Sequence, residues 1–164
     1  REEVKMVVIG GAESPGVADL LKRRDIPVVI TPVLRLANRS DAPYDEGFTT
    51  AAKLHRAGVR FCIAGGEERN LPYHAALAAA YGLPREEALK AVTRYAAEIL
   101  GVGDRTGTLE PGRDATLLVT DGDPLEVATQ VERMYIQGRA VDLSDKHRML
   151  YEKYRAKYRQ MKGE

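Results

Sequence analysis

The sequence holds a single cysteine, Cys62, so it can form no internal disulfide and cannot by itself build a thiolate metal site. It also lacks an excess of one charge. Lys and Arg number 25 against 24 Asp and Glu, and no overall field would draw the whole molecule to nucleic acid or a membrane. Long apolar runs are missing too: the longest, Ala75 to Tyr81, has seven residues, too short for a transmembrane span. The opening residues carry no signal-peptide pattern. The first residue is Arg1 rather than Met, which reads as a processed or excised piece and leaves the compartment open. Histidine is scarce, with His55, His74 and His147 far apart and no His-x-His pair. What is present, 164 residues at 44% hydrophobic and 30% charged, reads as a soluble globular chain of one ordinary domain or two very small ones.

The pattern begins as parallel α/β. Val4–Ile9 is a nearly continuous apolar run closed by Gly10-Gly11, the texture of a buried strand. Ser14-Pro15 offers an N-cap and a first helical residue. Val17, Ala18, Leu20 and Leu21 then form one apolar face, followed by the basic group Lys22-Arg23-Arg24. Ile26–Ile30 is a second strand-like run, and Val59–Ala64, after a helix over Thr49–Ala57 that Gly58 stops, is a third, closed by Gly65-Gly66. Pro72–Tyr81 reads as an alanine-rich helix. Another opens at Pro84 with Ala88, Leu89, Val92, Tyr95, Ala96, Ile99 and Leu100 as its buried stripe. After Gly101 the texture changes. Leu109–Asp114 is a turn, Ala115–Thr120 a strand, and Val131–Ile136 with Arg139–Leu143 flank Gln137-Gly138 as a two-residue hairpin. From Ser144 the chain is helical again. Three segments follow: 1–104 parallel α/β, 105–143 antiparallel, and 144–164 an amphipathic terminal helix.

The stretch Gly107-Thr108-Leu109-Glu110-Pro111-Gly112-Arg113-Asp114-Ala115-Thr116-Leu117-Leu118-Val119, followed by Asp121-Gly122-Asp123-Pro124, resembles the C-terminal signature of the amidohydrolase superfamily. The preceding helix, Leu83 to Gly101, and the hairpin Val131 to Val141 resemble that family's flanks in order and spacing. The nearest branch is the imidazolonepropionase-like amidohydrolases. The resemblance covers roughly residues 70–143. It implies a fold: the C-terminal part of a (β/α)8 TIM-type barrel, a small antiparallel β-sandwich piece and the terminal helix. Whole barrels take about 250 residues, so strands one to five would be absent. Val4–Ile9, Val28–Thr31 and Val59–Ala64 would then resemble strands six, seven and eight. The implied chemistry is hydrolysis of C–N bonds in cyclic or linear amides by zinc or another divalent metal. Such an ion lowers the pKa of a bound water, and an Asp ending strand eight orients that water and moves its proton.

Residue by residue, the sequence departs from that pattern. The strand-six His would fall at about Gly10, and the strand-eight Asp at Gly65 or Gly66; none of these can ligate. Glu13, Glu67, Glu68 and His74 remain as weak catalytic candidates, and no cofactor is expected for this chain. His55 reads as a helix-surface histidine and His147 as solvated. His74, just past a glycine turn, could face the open end of the barrel. Gly10-Gly11-Ala12-Glu13-Ser14 matches no phosphate-binding fingerprint and reads as a tight turn. Pro111, Gly112, Asp114, Asp121 and Asp123 read as structural turn residues. The segment 145–164 is basic with Tyr and Met on one face. It reads as a helix packing on the barrel, with RNA or an acidic partner as the alternative.

Three readings follow. The chain is a piece of an amidohydrolase-like protein, inactive alone; or it comes from a metal-free member kept as a scaffold; or it binds a partner or RNA through the terminal helix. Three strands cannot close a barrel, so the expected partners are a second copy of itself or the missing N-terminal portion. Nucleic acid and membrane are not expected partners.

Overall fold

A computed structural model describes residues 4–163 of the chain. Its first sheet is parallel, in the order β1 (Val8–Gly10), β2 (Val28–Ile30), β3 (Phe61–Ile63). Five helices accompany it: α1 (Ala18–Arg23), α2 (Glu46–Ala57), α3 (Leu71–Ala80), α4 (Arg85–Ala91) and α5 (Arg94–Ile99). The register pairs Val8 with Val28 with Phe61, and Gly10 with Ile30 with Ile63. Since side chains alternate across a strand, these two rows share one face. Val28, Ile30, Phe61 and Ile63 meet Leu54, Ala75, Ala78, Ala88 and Ala91 there in one buried cluster. Small alanines on the helices let the backbones approach the sheet closely. The row Ile9, Val29, Cys62 lies on the opposite face.

Several expectations are corrected. The strand expected over Val4–Ile9 is only Val8–Gly10, and it is not buried: Val4, Met6 and Val7 are exposed and Ile9 is 75% exposed. The reason is cover: β1 and β3 are both edges of the sheet, but α2–α5 pack on β3, whereas among the described residues β1 has only β2 packed substantially against it. The second and third strands are likewise cut to their three paired residues. The single helix expected after Pro84 is two, α4 and α5, separated at Val92-Thr93. Pro84 itself stands just outside α4, in extended backbone at the cap. Thr93 bends back to donate its hydroxyl to the Leu89 carbonyl, a local bond that competes with helix continuation. Leu89 and Leu100 of the expected stripe are exposed. In the first helix, Val17 and Leu20 are exposed while Leu21 is buried. Ser14 is no N-cap: buried, it donates to the Gly11 carbonyl.

Beyond residue 100 the architecture changes. β4 (Leu117–Thr120), β5 (Val131–Ile136) and β6 (Arg139–Ala140) form an antiparallel sheet in that order. Gln137 and Gly138 both have positive φ, 50° and 77°, the conformation of a two-residue I′ hairpin turn. Leu125 is buried in the same cluster as the parallel sheet's core. Arg85 at the start of α4 reaches Asp123 and Glu126. The terminal helix α6 (Lys146–Lys162) is capped by Asp145, which accepts from the backbone N–H of His147 and Arg148. Packing of this helix on the rest of the chain, expected from its amphipathic pattern, does not occur: every described residue of α6 is exposed.

Candidate functional site

In parallel α/β architectures ligands gather at the carboxyl ends of the strands. Here those ends are Gly10, Thr31 and the Gly65-Gly66 turn. An open groove of ≈ 720 Å³ lies there, lined by Gly10, Gly11, Glu13, Thr31, Arg35 and Asn38 among others. Arg35 organises the loop after β2. Its Nη1 donates to Glu46 Oε2 at 2.9 Å and to Asn38 Oδ1 at 3.2 Å, while Nη2 is buried with no partner. The Arg35 guanidinium, with help from the Asn38 backbone N–H, holds the Glu46 carboxyl below the usual carboxylate range.

His74 sits in the first turn of α3 and is 7% exposed. Its Nδ1 accepts the Leu34 backbone N–H at 3.2 Å, so the neutral ring carries its proton on Nε2. Burial lowers its pKa. The ring does not point into an open site; it packs against the turn after β3. A Cβ added at Gly65 would stand 3.2 Å from His74 Cδ2 and 3.0 Å from the Glu67 carbonyl oxygen, whereas one added at Gly66 meets nothing within 4 Å. Position 65 is therefore tight for a side chain, which would press on the Glu67 carbonyl and the His74 ring, and position 66 has room for one. Gly10 has φ +100°, a region that strains any L side chain.

The weak candidates do not converge. Glu13, Glu67 and Glu68 are exposed, and Glu67 pairs with Arg69 at 2.9 Å. Among the described residues, no three His, Cys, Asp or Glu side chains are grouped so as to hold a metal ion. Cys62, on the sheet face opposite the core, is buried, and burial pushes its thiol up to about 11, which keeps it protonated and unreactive. His147, in the exposed first turn of α6, contributes its backbone N–H to the cap.

Sequence reasoning missed a polar cluster at the opposite end of β3. Glu87 accepts from the Tyr95 hydroxyl at 2.6 Å and from Lys90 Nζ at 3.0 Å, and His55 Nδ1 lies 3.8 Å away. The Tyr95 hydrogen bond, then Lys90, keeps the Glu87 carboxyl low. A cavity of ≈ 360 Å³ lies beside it, lined by His55, Phe61, Glu87, Tyr95 and Glu98 among others. The only signal in the sequence was the helical spacing of Glu87 and Lys90. In barrels this amino end reads as stability rather than catalysis.

The turn residues have local partners. The Arg113 N–H donates to the Glu110 carbonyl at 3.2 Å, with Pro111 and Gly112 between them and Gly112 at φ +87°, as a type II turn requires. Arg113 also binds Glu110 and the Gly103 carbonyl. Asp114 receives Arg105 at 2.8 Å. Asp121 accepts the Gln130 N–H, and Asp123 accepts the Leu125 N–H and Arg85 Nε.

The sequence profile of the amidohydrolase family matches residues 36–142. An imidazolonepropionase from Thermoplasma volcanium is 36% identical over 85 residues, 48% of this chain and 21% of that protein. An amidohydrolase from Hapsidospora irregularis, tasK, is 43% identical over 60 residues, 37% of this chain and 6% of its own length. The crystal structure of an amidohydrolase from Thermotoga maritima MSB8 superposes with a TM-score of 0.74 and 34% identity, over 83% of this chain and 36% of that one. An adenosine deaminase from Xanthomonas campestris with bound zinc shares the fold, with a TM-score of 0.64 at 23% identity over 94% of this chain and 42% of its own. The chain thus spans well under half of each of these proteins.

Proposed function

The chain belongs to the amidohydrolase family, in its imidazolonepropionase-like branch, and we propose that it supplies the last three strand–helix units of a (β/α)8 barrel and part of the accompanying β-sandwich, but no metal ligand. Support for the barrel reading comes from three sequential parallel strands in spatial order and from the likeness to the Thermotoga amidohydrolase. The reaction class is hydrolysis of C–N bonds in cyclic or linear amides, carried out by a whole protein of which this chain is a part. Alone, the chain is inactive. The observation that carries this reading is the chemistry of the strand ends: glycines, Gly10 and Gly65-Gly66, follow β1 and β3, where the family resemblance calls for an imidazole and a carboxylate, and a side chain at Gly65 would crowd the Glu67 carbonyl and His74. The described residues do not fit a zinc ion: no three His, Cys, Asp or Glu side chains among them are grouped to hold one.

The metal-free scaffold is a second reading, and the packing of His74 beside Gly65 supports it, because that ring takes up space next to one of the two glycines the resemblance sets at the strand-eight ligand position. Either way the exposed outer face of β1 and its open edge need a cover. We place there the missing N-terminal portion or, failing that, a second copy of this chain; light scattering over a dilution series separates a monomer from an assembly. The decisive experiment is elemental analysis of the purified chain together with an assay on amide and imidazolone substrates. The expected result is no stoichiometric zinc and no turnover. Zinc near one per chain, lost on His74→Ala or Glu67→Gln, overturns the reading.

A further inference from the structure

α6 lies beyond the matched family segment, which ends at residue 142. Its apolar residues are unpartnered: Tyr151, Tyr154, Tyr158 and Met161 are each half exposed or more. With His147 they recur at alternating spacings of four and three residues. That is the seam of a helix that packs lengthwise against another helix, the a and d positions of a heptad. A single-stranded nucleic acid demands no such period, since it needs only ring faces beside a basic track.

The flanks of the seam decide the partner. Counting Tyr151 as position a, the e positions are Arg148, Arg155 and Lys162, and the g positions are Leu150 and Lys157. Every charged residue beside the seam is basic. A second copy would set Lys157 against Lys162 in a parallel pair, or e against e and g against g in an antiparallel one, and both arrangements repel. Glu152, which receives Arg155 at 3.3 Å, is the only acid within α6 and lies off the seam's flanks. Arg155 also covers the Tyr151 ring at 5.9 Å, so seam and flank form one continuous surface.

We propose that α6 is a docking helix for a partner protein that presents an amphipathic helix with an apolar seam and Asp or Glu along its flanks. The Asp145 cap and the left-handed Gly163 at its end hold the helix in register without a partner, so docking requires little further ordering. Because every described residue of α6 is exposed, its surface can be altered without disturbing the core.

The test is fluorescence anisotropy with the full 164-residue chain and two labelled probe peptides, one with Leu at a and d and Glu at e and g, the other identical but with Lys at e and g. The acidic peptide is expected to bind at least about tenfold more tightly than the basic one. The double variant Tyr154→Ser/Tyr158→Ser should weaken it by a similar factor, with unchanged thermal unfolding of the core. Arg155→Glu/Lys157→Glu should invert the preference between the two peptides. Equal binding of both peptides, no binding of either, or salt-sensitive binding of poly(U) RNA that the serine variant abolishes while the peptides fail, each overturns the proposal.

Discussion

The two halves of this molecule solve burial differently. The parallel α/β half covers one face of its sheet completely: every fully buried apolar residue but one, from Leu21 to Ala97, belongs to it. Among the described residues beyond it, only Leu125, in the loop between β4 and β5, joins that set, and Leu118, Val119, Val131 and Ile136 remain exposed on short strands. Both halves contain sequences with strong local structure. What separates them is whether the second layer an apolar face needs lies inside the chain. For α1–α5 it does; for β4–β6, α6 and the outer face of β1 it does not. The strand, the hairpin and the terminal helix are therefore locally well specified and tertiarily incomplete.

The comparison breaks most readily at the core. Leu54 is 0% exposed against the parallel sheet, and Leu54→Ala should cost about 2–5 kcal/mol, the range for emptying such a site. Leu118→Ala, on the exposed face of β4, should change stability by less than about 0.5 kcal/mol. Urea denaturation of both variants measures the contrast. Equal losses would mean that the antiparallel sheet is covered in solution, by another copy or by a rearrangement of this one.

Local features of the fold were largely legible, because they obey local chemistry. Gly58 stops α2 in the left-handed conformation, and Gln137-Gly138 turns the hairpin by its own dihedrals. What was not legible depends on neighbours. The run Val4–Ile9 has the composition of a buried strand, but composition does not say whether helices will cover it, as α2–α5 cover β3. The break at Val92-Thr93 carries no Gly or Pro and is visible only through the Thr93 hydroxyl's bond to Leu89. At the site, the glycines that follow the first and third strands, Gly10 and Gly65-Gly66, could be read directly. The role of His74 could not, since its hydrogen bond joins residues 40 apart in sequence.

A smaller effect sharpens the role of that histidine. Burial depresses the folded-state pKa of His74, so the unfolded chain binds more protons in the window below the usual histidine value. Stability is then complete above about pH 6.5 and falls as pH drops towards the folded value, because protonation also removes Nδ1 as acceptor for Leu34. Glu46 and Glu87, held low by their partners, add their losses only at more acid pH, below the ordinary carboxylate range. Tm measured between pH 7 and 5 should therefore decline in the wild type. It should flatten in His74→Gln, whose amide oxygen can still accept the Leu34 N–H. An identical slope in both chains would assign the decline to other groups and leave His74 a packing residue only.

The smallest expected effect concerns what ties the halves together. Arg85 binds Asp123 and Glu126 at 2.5 Å each, a contact between the start of α4 and the loop between β4 and β5. It looks like a clamp, and the Asp123 carboxyl is held low chiefly by the Arg85 hydrogen bond. Its setting argues otherwise. The Arg85 side chain is 45% exposed, and in water an ion pair loses most of its Coulomb energy while costing side-chain entropy, leaving about 0–1 kcal/mol. Leu125, two residues past Asp123 and buried in the shared core, has no such competition from solvent. Asp123 also retains its bond from the Leu125 N–H at 2.8 Å, which shapes the loop without help from Arg85. Arg85→Gln should thus shift stability far less than the loss of a buried side chain does, and the shift should shrink as salt screens the pair. Leu125→Ala should cost about 2–5 kcal/mol and be indifferent to salt. Should Arg85→Gln prove as costly as Leu125→Ala in urea titrations at low and high salt, the halves would be joined by charge, and the contrast between a self-sufficient core and a loosely attached sheet would have to be redrawn around that pair.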